Sequence, residues 1–435
     1  MGSDDGKKRR PDRPSWCLAL ICFCVVAPLL VLKQRLEASR SETLLQSMLT
    51  KRPPKITLTH NLRERKTDCS GMTPLRARLM AIAAMRDPEQ ALAALDADPL
   101  GLKDINNASD WVCPKEEGDR LLRRESCGRG PSVEAEWRLK RQKSGTALWF
   151  EHLSKAGGTS FCKFARQNFG FQRTPSYYCM PSDGAQIKGT DGRVGRWRAE
   201  KIVEYLKRTG HLVLSNEWDS FPADTLGLTW KNSSTSPLKA TLPDSLVLAA
   251  VVRDPLDRLL SAFQFWGVLH NPSKIKPDVA KWLDLKDKSA RRRPHRKFPD
   301  DFLSQVARSN FAVWKFSSST DPLRFDDCRD QQCEQDALNV ALDTLERFHI
   351  PVPTTWQSFA GPLYARIGFT KLHEIHVVPS GTAHNSKARD NLPSDLYKTL
   401  RHQNIPDLIL FAFVKRAFLE RLHCPRTKVL DEPDW

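Results

Sequence analysis

Residues 245–252 read SLVLAAVV, seven apolar residues in a row after a single serine. A strand wetted on one face alternates polar and apolar side chains, so an unbroken run of this length fits a strand covered on both faces. Such strands occupy the middle of parallel sheets. Arg253-Asp254-Pro255 ends the run, and PLDRLLSAFQFW then has the spacing of a helix. Pro255 suits its first turn, where a missing N–H costs nothing. Parallel strands need crossovers, usually helical. The predicted fold class is therefore α/β, a central parallel sheet flanked by helices on both sides.

A second strand–turn–helix unit lies upstream. Residues 147–153 (ALWFEHL) form an apolar-aromatic run with strand propensity. Ser154-Lys155-Ala156-Gly157-Gly158-Thr159-Ser160 follows at once, and then FCKFARQNF places Phe161, Phe164, Ala165 and Phe169 at helical spacing. Strand, glycine turn with a lysine, then helix is a physical recipe for an anion site. The glycines let the backbone approach, the helix start presents N–H groups, and Lys155 adds a full charge. Thr159 and Ser160 supply hydroxyl donors and are candidate helix caps. The unit is P-loop-like without being a Walker A loop, because Lys155 precedes the glycines. A third segment, residues 211–221 (HLVLSNEWDSF), reads as a strand running into a polar turn. In an open α/β sheet that turn would lie beside the other two loops, where active sites collect.

Residues 16–32 (WCLALICFCVVAPLLVL) carry no charge and follow Lys7, Lys8, Arg9, Arg10 and Arg13. The run is at the short end of the roughly 17–25 residues that span a bilayer. Its flanks orient it with the N-terminus cytosolic. A cleavable signal peptide shares this polarity, with Ala38-Ser39 as a conceivable cut; the length of the run and the lack of an A-x-A site favour an uncleaved anchor. The expected organisation is a cytosolic tail (1–15), a transmembrane signal anchor (16–32), a lumenal helical stem (33–145), a catalytic domain (146–424) and a C-terminal tail (425–435). Eleven cysteines occur, three of them in the anchor; the other eight allow up to four disulfides in an exported region, with Cys328–Cys333 the nearest local pair. Sequons at Asn107 and Asn232 agree with a glycosylated lumenal body. Asp96-Ala97-Asp98 follows a helix-like stretch and precedes Pro99, which fits a helix end better than a metal–nucleotide site.

The two phosphate-type units together carry a resemblance. LSKAGGTSF resembles the 5′-phosphosulfate loop of membrane-anchored Golgi carbohydrate sulfotransferases, and VVRDPLDRLLSAF resembles their 3′-phosphate motif. Order and type II topology are most similar to the heparan sulfate 2-O- and 6-O-sulfotransferase group, over roughly residues 146–424. The resemblance implies transfer of a sulfuryl group from 3′-phosphoadenosine-5′-phosphosulfate (PAPS) to a glycan hydroxyl in the Golgi lumen, without a metal. Lys155 would then serve catalysis and donor binding, with Ala156, Gly157, Gly158, Thr159 and Ser160 cradling the 5′-phosphosulfate. Arg253 and Ser261 would grip the 3′-phosphate. Ala156 departs from the family's usual threonine, a change that spares the backbone donors. Related enzymes place a catalytic His or Glu just after the third strand. Glu217 is the best-placed base here, followed by Asp219, with His211 a further candidate at the strand's beginning. Within the same class the acceptor could be a protein tyrosine; a different class would be an inactive, sulfotransferase-like glycan-binding protein.

The chain's 68 Lys+Arg exceed its 51 Asp+Glu by 17. In a lumenal protein that excess suits an anionic donor and an anionic polysaccharide acceptor and argues against nucleic acid. Residues 291–297 (RRRPHRK) and the arginines 193, 196 and 198 are candidate acceptor patches. His384-Asn385-Ser386 could close over the nucleotide. His373 and His376 lack a third ligand, so no zinc site is expected.

Overall fold

The computed structural model describes residues 74–97, 133–143, 145–176, 178–181, 193–217, 219–226, 245–269, 279–283, 309–317, 331–372 and 392–423. The anchor, both sequons, the basic stretch 291–297, His373, His376 and the 384–386 triplet lie outside them. No helix among the described residues is long and apolar enough to cross a membrane.

Among the described residues three helices come first: α1 (Pro74–Ala83), α2 (Pro88–Ala97) and α3 (Val133–Lys140). They lead into β1 (Ala147–His152), α4 (Gly158–Phe169), α5 (Ala199–Thr209) and β2 (Val213–Asn216). Then follow β3 (Leu246–Val252), α6 (Pro255–Ala262), which runs on as a π-helical turn over Phe263–Leu269, α7 (Val279–Leu283) and α8 (Phe311–Ser317). The last elements are α9 (Gln331–Glu346), β4 (Ile350–Pro353), α10 (Gly361–Arg366), α11 (Ser394–Gln403) and α12 (Ile405–His423). The four strands form one sheet in the order β2-β1-β3-β4, parallel throughout. The apolar run of residues 246–252 is thus the interior strand it was expected to be, with all seven residues buried. Pro351 and Pro353 lie in β4, an outer strand of this sheet, where a missing N–H leaves no gap in the ladder.

Strand periodicity sorts the core into two layers. Ala147 and Trp149 of β1 and Leu246, Leu248, Ala250 and Val252 of β3 face one layer, with α5, α8, α9 and most of α12. Leu148 and Phe150, with Val247, Ala249 and Val251, face the other, with α3, α4 and α10. Burying each large side chain contributes roughly 1.5–3 kcal/mol, and both faces are used. The first layer also takes in Leu79, Ile82, Ala91 and Leu95 of α1 and α2. The core therefore reaches into the segment read as a stem. All described residues fall in one compact unit.

Asp96 ends α2 in an ion pair with Arg401, with distances of 2.9 and 2.6 Å, in keeping with the helix-end reading. Cys162 and Cys179 form a disulfide that ties α4 to the segment before α5. Cys333 is also disulfide-bonded, its partner outside the described residues. The start of α8 is held by a buried polar cluster. Asp407 Oδ2 and Oδ1 accept from the N–H groups of Ala312 (3.0 Å) and Val313 (2.8 Å), and Asn310 donates its side-chain amide to the Gln403 carbonyl at 2.8 Å. Burial pushes the Asp407 carboxyl up to about 6, against the pull of those N–H donors.

Candidate active site

The parallel sheet places the ends of β1, β2 and β3 side by side, with Glu151 opposite both Asn216 and Ala250. The three turns that follow carry most of the expected site residues. After β1 the chain turns through a hydrogen bond from Ala156 N–H to the Leu153 carbonyl (2.9 Å), and both Lys155 (φ 67°) and Gly157 (φ 89°) adopt left-handed conformations. At Gly157 that geometry suits glycine. At Lys155 it costs on the order of 1–3 kcal/mol, a strain that accumulates at functional sites. Gly157 is the N-cap of α4 and no side chain caps the helix. Thr159 and Ser160 lie inside the first turn, which corrects the expectation that they cap it. The first N–H groups of α4 have no partner within the helix and carry its positive dipole end. Ala156 is buried in the core, so the position filled by threonine in the resembled family is here an apolar contact.

Arg253 leaves the end of β3 and donates from Nη1 to the Lys155 carbonyl at 2.9 Å, cross-linking the turns that follow β1 and β3. Asp254 caps α6 by accepting from the N–H groups of Leu256 (3.0 Å) and Asp257 (3.2 Å). Ser261 sits half-buried near the end of α6. The Lys155 ammonium lies 3.5 Å from the centre of the Phe265 ring, a cation–π contact to the π-helical turn. Burial lowers the Lys155 pKa to about 8, Arg253 pushes the same way, and the Glu217 carboxylate opposes both. Lys155, Arg253 and Glu217, from three segments far apart in the chain, thus form one electrostatic cluster.

Sequence reasoning missed His152, the last residue of β1. It is 6% exposed, and Nδ1 stands 3.4 Å from Glu217 Oε2. A Cβ built on Gly158 would fall 1.9 Å from His152 Nε2, so the second glycine of the turn makes room for this ring. Burial holds the imidazole below its usual pKa; Glu217 pulls it up, and the ammonium groups of Lys315 and Lys155 push it further down. A histidine at the end of an apolar strand, directly before the lysine–glycine turn, was the available signal.

The other candidate bases go elsewhere. His211 precedes β2 at the amino end of the sheet, and its Nδ1 meets the Tyr205 hydroxyl at 2.7 Å. It is therefore not brought to the turns, because β2 runs parallel to β1 and only its far end approaches them. Asp219 is buried and bound by Arg193 (Nε to Oδ2, 3.0 Å) and Arg196 (Nε to Oδ1, 2.8 Å). Two arginines of the proposed second acceptor patch are thus paired with a carboxylate of the same chain, Arg193 largely covered and Arg196 still more than half exposed. Glu217 alone of the three lies half-buried beside Lys155 and His152. No family model, curated protein or solved structure matches the chain, so the reading of this site rests on its own residues.

Proposed function

We propose that the chain is a P-loop-like, PAPS-dependent sulfotransferase acting on a hydroxyl of a glycan, probed best with anionic polysaccharides. The observation that carries this reading is the convergence of Lys155, Arg253 and Glu217 at the carboxyl ends of adjacent parallel strands, around the uncapped start of α4. The residues fit such a donor: α4 N–H groups and Lys155 suit the oxygens of a phosphosulfate, and Arg253 with Ser261 suit a second phosphate. Together with the apolar segment 16–32, this supports a type II Golgi membrane protein with the catalytic domain in the lumen.

In the proposed reaction the acceptor oxygen attacks sulfur as the bond from sulfur to the bridging phosphate oxygen breaks. Glu217 takes the hydroxyl proton. Lys155 donates a hydrogen bond to the leaving phosphate oxygen, where negative charge develops. The products are the sulfate ester and 3′-phosphoadenosine-5′-phosphate.

Labelled sulfate transfer from PAPS to a panel of desulfated glycans and tyrosyl peptides, with linkage analysis, tests the reading directly. Product on a peptide alone would move the acceptor to tyrosine. Heparin binding with no transfer, and no thermal stabilisation by 3′-phosphoadenosine-5′-phosphate, would leave a glycan-binding protein instead.

The pH dependence follows from the lysine. Its folded pKa is depressed, so the ammonium is present below about 8 and is lost as pH rises through that value. Donor kcat/KM should accordingly fall about tenfold per unit above that point. Lys155→Arg should remove this basic limb, because a guanidinium stays protonated there. A profile flat to about pH 10 in the unaltered chain would refute the assigned role.

A further inference from the structure

The turn that carries Glu217 is held from beneath by a buried ion pair. Lys315 on α8 and Glu151 on β1 are both fully buried, and Nζ lies 2.8 Å from Oε1. The same ammonium donates to the carbonyl oxygens of Asn216 (3.3 Å), Glu217 (2.9 Å) and Asp219. Glu151 is itself fixed, accepting from Trp149 Nε1 at 2.8 Å and from Asn216 Nδ2 at 2.9 Å. The Asn216 amide also reaches the Asp219 and Ser220 carbonyls, at 3.1 and 3.2 Å. On the far side of the turn, Arg193 and Arg196 take the Asp219 side chain.

A fully buried ion pair is a poor device for stability alone, since desolvation offsets most of its attraction and apolar replacements are often as stable. Burial pushes the Glu151 carboxyl up to about 7, despite its lysine partner. What the pair does supply is specific. The carbonyls of Asn216, Glu217 and Asp219 all face this one ammonium, which shares its three N–H groups among them and Glu151. The path of the backbone then sets the direction in which Glu217 leaves it, toward His152 and Lys155.

We propose that Lys315 and Glu151 are positioning residues, which hold the 216–219 turn so that the Glu217 carboxylate faces the reacting hydroxyl. This rests on the sulfotransferase reading, with Glu217 as base.

The test uses the full chain in three forms: unaltered, Lys315→Met, and Lys315→Met combined with Glu151→Gln. Lys315→Met alone leaves a buried carboxyl without its cation and should lower the melting temperature. The double variant should recover most of that loss. Its kcat should nevertheless fall at least about tenfold, with the KM for PAPS within about twofold, and Glu217→Gln should cost it at least about tenfold less than the same change costs the unaltered chain. A double variant that melts and turns over like the unaltered chain overturns the proposal. So does full multiplication of its loss by Glu217→Gln. If the double variant does not fold, Asn216→Ala keeps both charges while removing the amide that ties the turn to Glu151; unchanged kcat there refutes the idea.

Failure of the unaltered chain to transfer sulfate would count against the functional reading rather than the turn. Amide hydrogen exchange across residues 216–220 needs no substrate. Faster exchange in the double variant supports the bracing of the turn, and unchanged exchange overturns it.

Discussion

Replacing Lys155 by alanine should lower sulfate transfer from PAPS by about 10²–10³-fold, the cost of deleting one preorganised donor to a developing oxyanion. The chain should stay folded. Both residues carry a Cβ, so the left-handed backbone at φ 67° is no more strained in the variant, and the Arg253 bond goes to a main-chain carbonyl that alanine retains. Removing a partly buried ammonium also removes its desolvation cost. The loss should therefore fall on turnover, and more weakly on donor binding, since the α4 N–H groups remain. Thermal melts with and without 3′-phosphoadenosine-5′-phosphate, alongside initial rates, separate the two effects. Turnover within about threefold of the unaltered chain would remove Lys155 from the reaction.

Glu217→Gln should cost about 10²–10⁴ in kcat, the usual range for a positioned general base. Glutamine keeps the size and much of the hydrogen-bonding capacity of the side chain but cannot hold a proton at pH 7. The turn should keep its shape, because Lys315 binds the Glu217 carbonyl and not its carboxylate. His152 should stay neutral as well, since the only influence raising its pKa is the charge being removed. Donor affinity is then expected to change little. Normal turnover with normal donor affinity would sink the assignment, and His152, at 3.4 Å from the carboxylate, would be the next residue to replace.

Several features were legible in the sequence because local chemistry dictates them. An unbroken apolar run can only be a covered strand or helix, and its length and flanks chose the strand at 246–252. The Gly157-Gly158 pair marked the turn between β1 and α4. Asp254-Pro255 marked a helix start, and Asp254 is indeed the N-cap of α6. The α/β class follows from the same kind of pattern.

The partners of each polar group were a different matter. Asp219 and Glu217 stand two residues apart in one polar turn, and nothing local tells which is clamped and which faces the site. Arginines more than twenty residues upstream made that choice by capturing Asp219. His211 looked usable until strand direction placed it at the other end of β2. His152 was hidden inside an apolar run, and its role depends on a glycine six residues later leaving room for its ring. Nothing local in residues 311–317 (FAVWKFS) marks Lys315, whose ammonium reaches a carbonyl 98 residues back in the chain. The sequence by itself determined which segments are strands, turns and helices around the lysine–glycine turn, because those follow from backbone preference and short-range burial. Only the tertiary structure decided which charges meet, because an ion pair's geometry depends on where the sheet order β2-β1-β3-β4 and the helices packed on it bring side chains from distant segments.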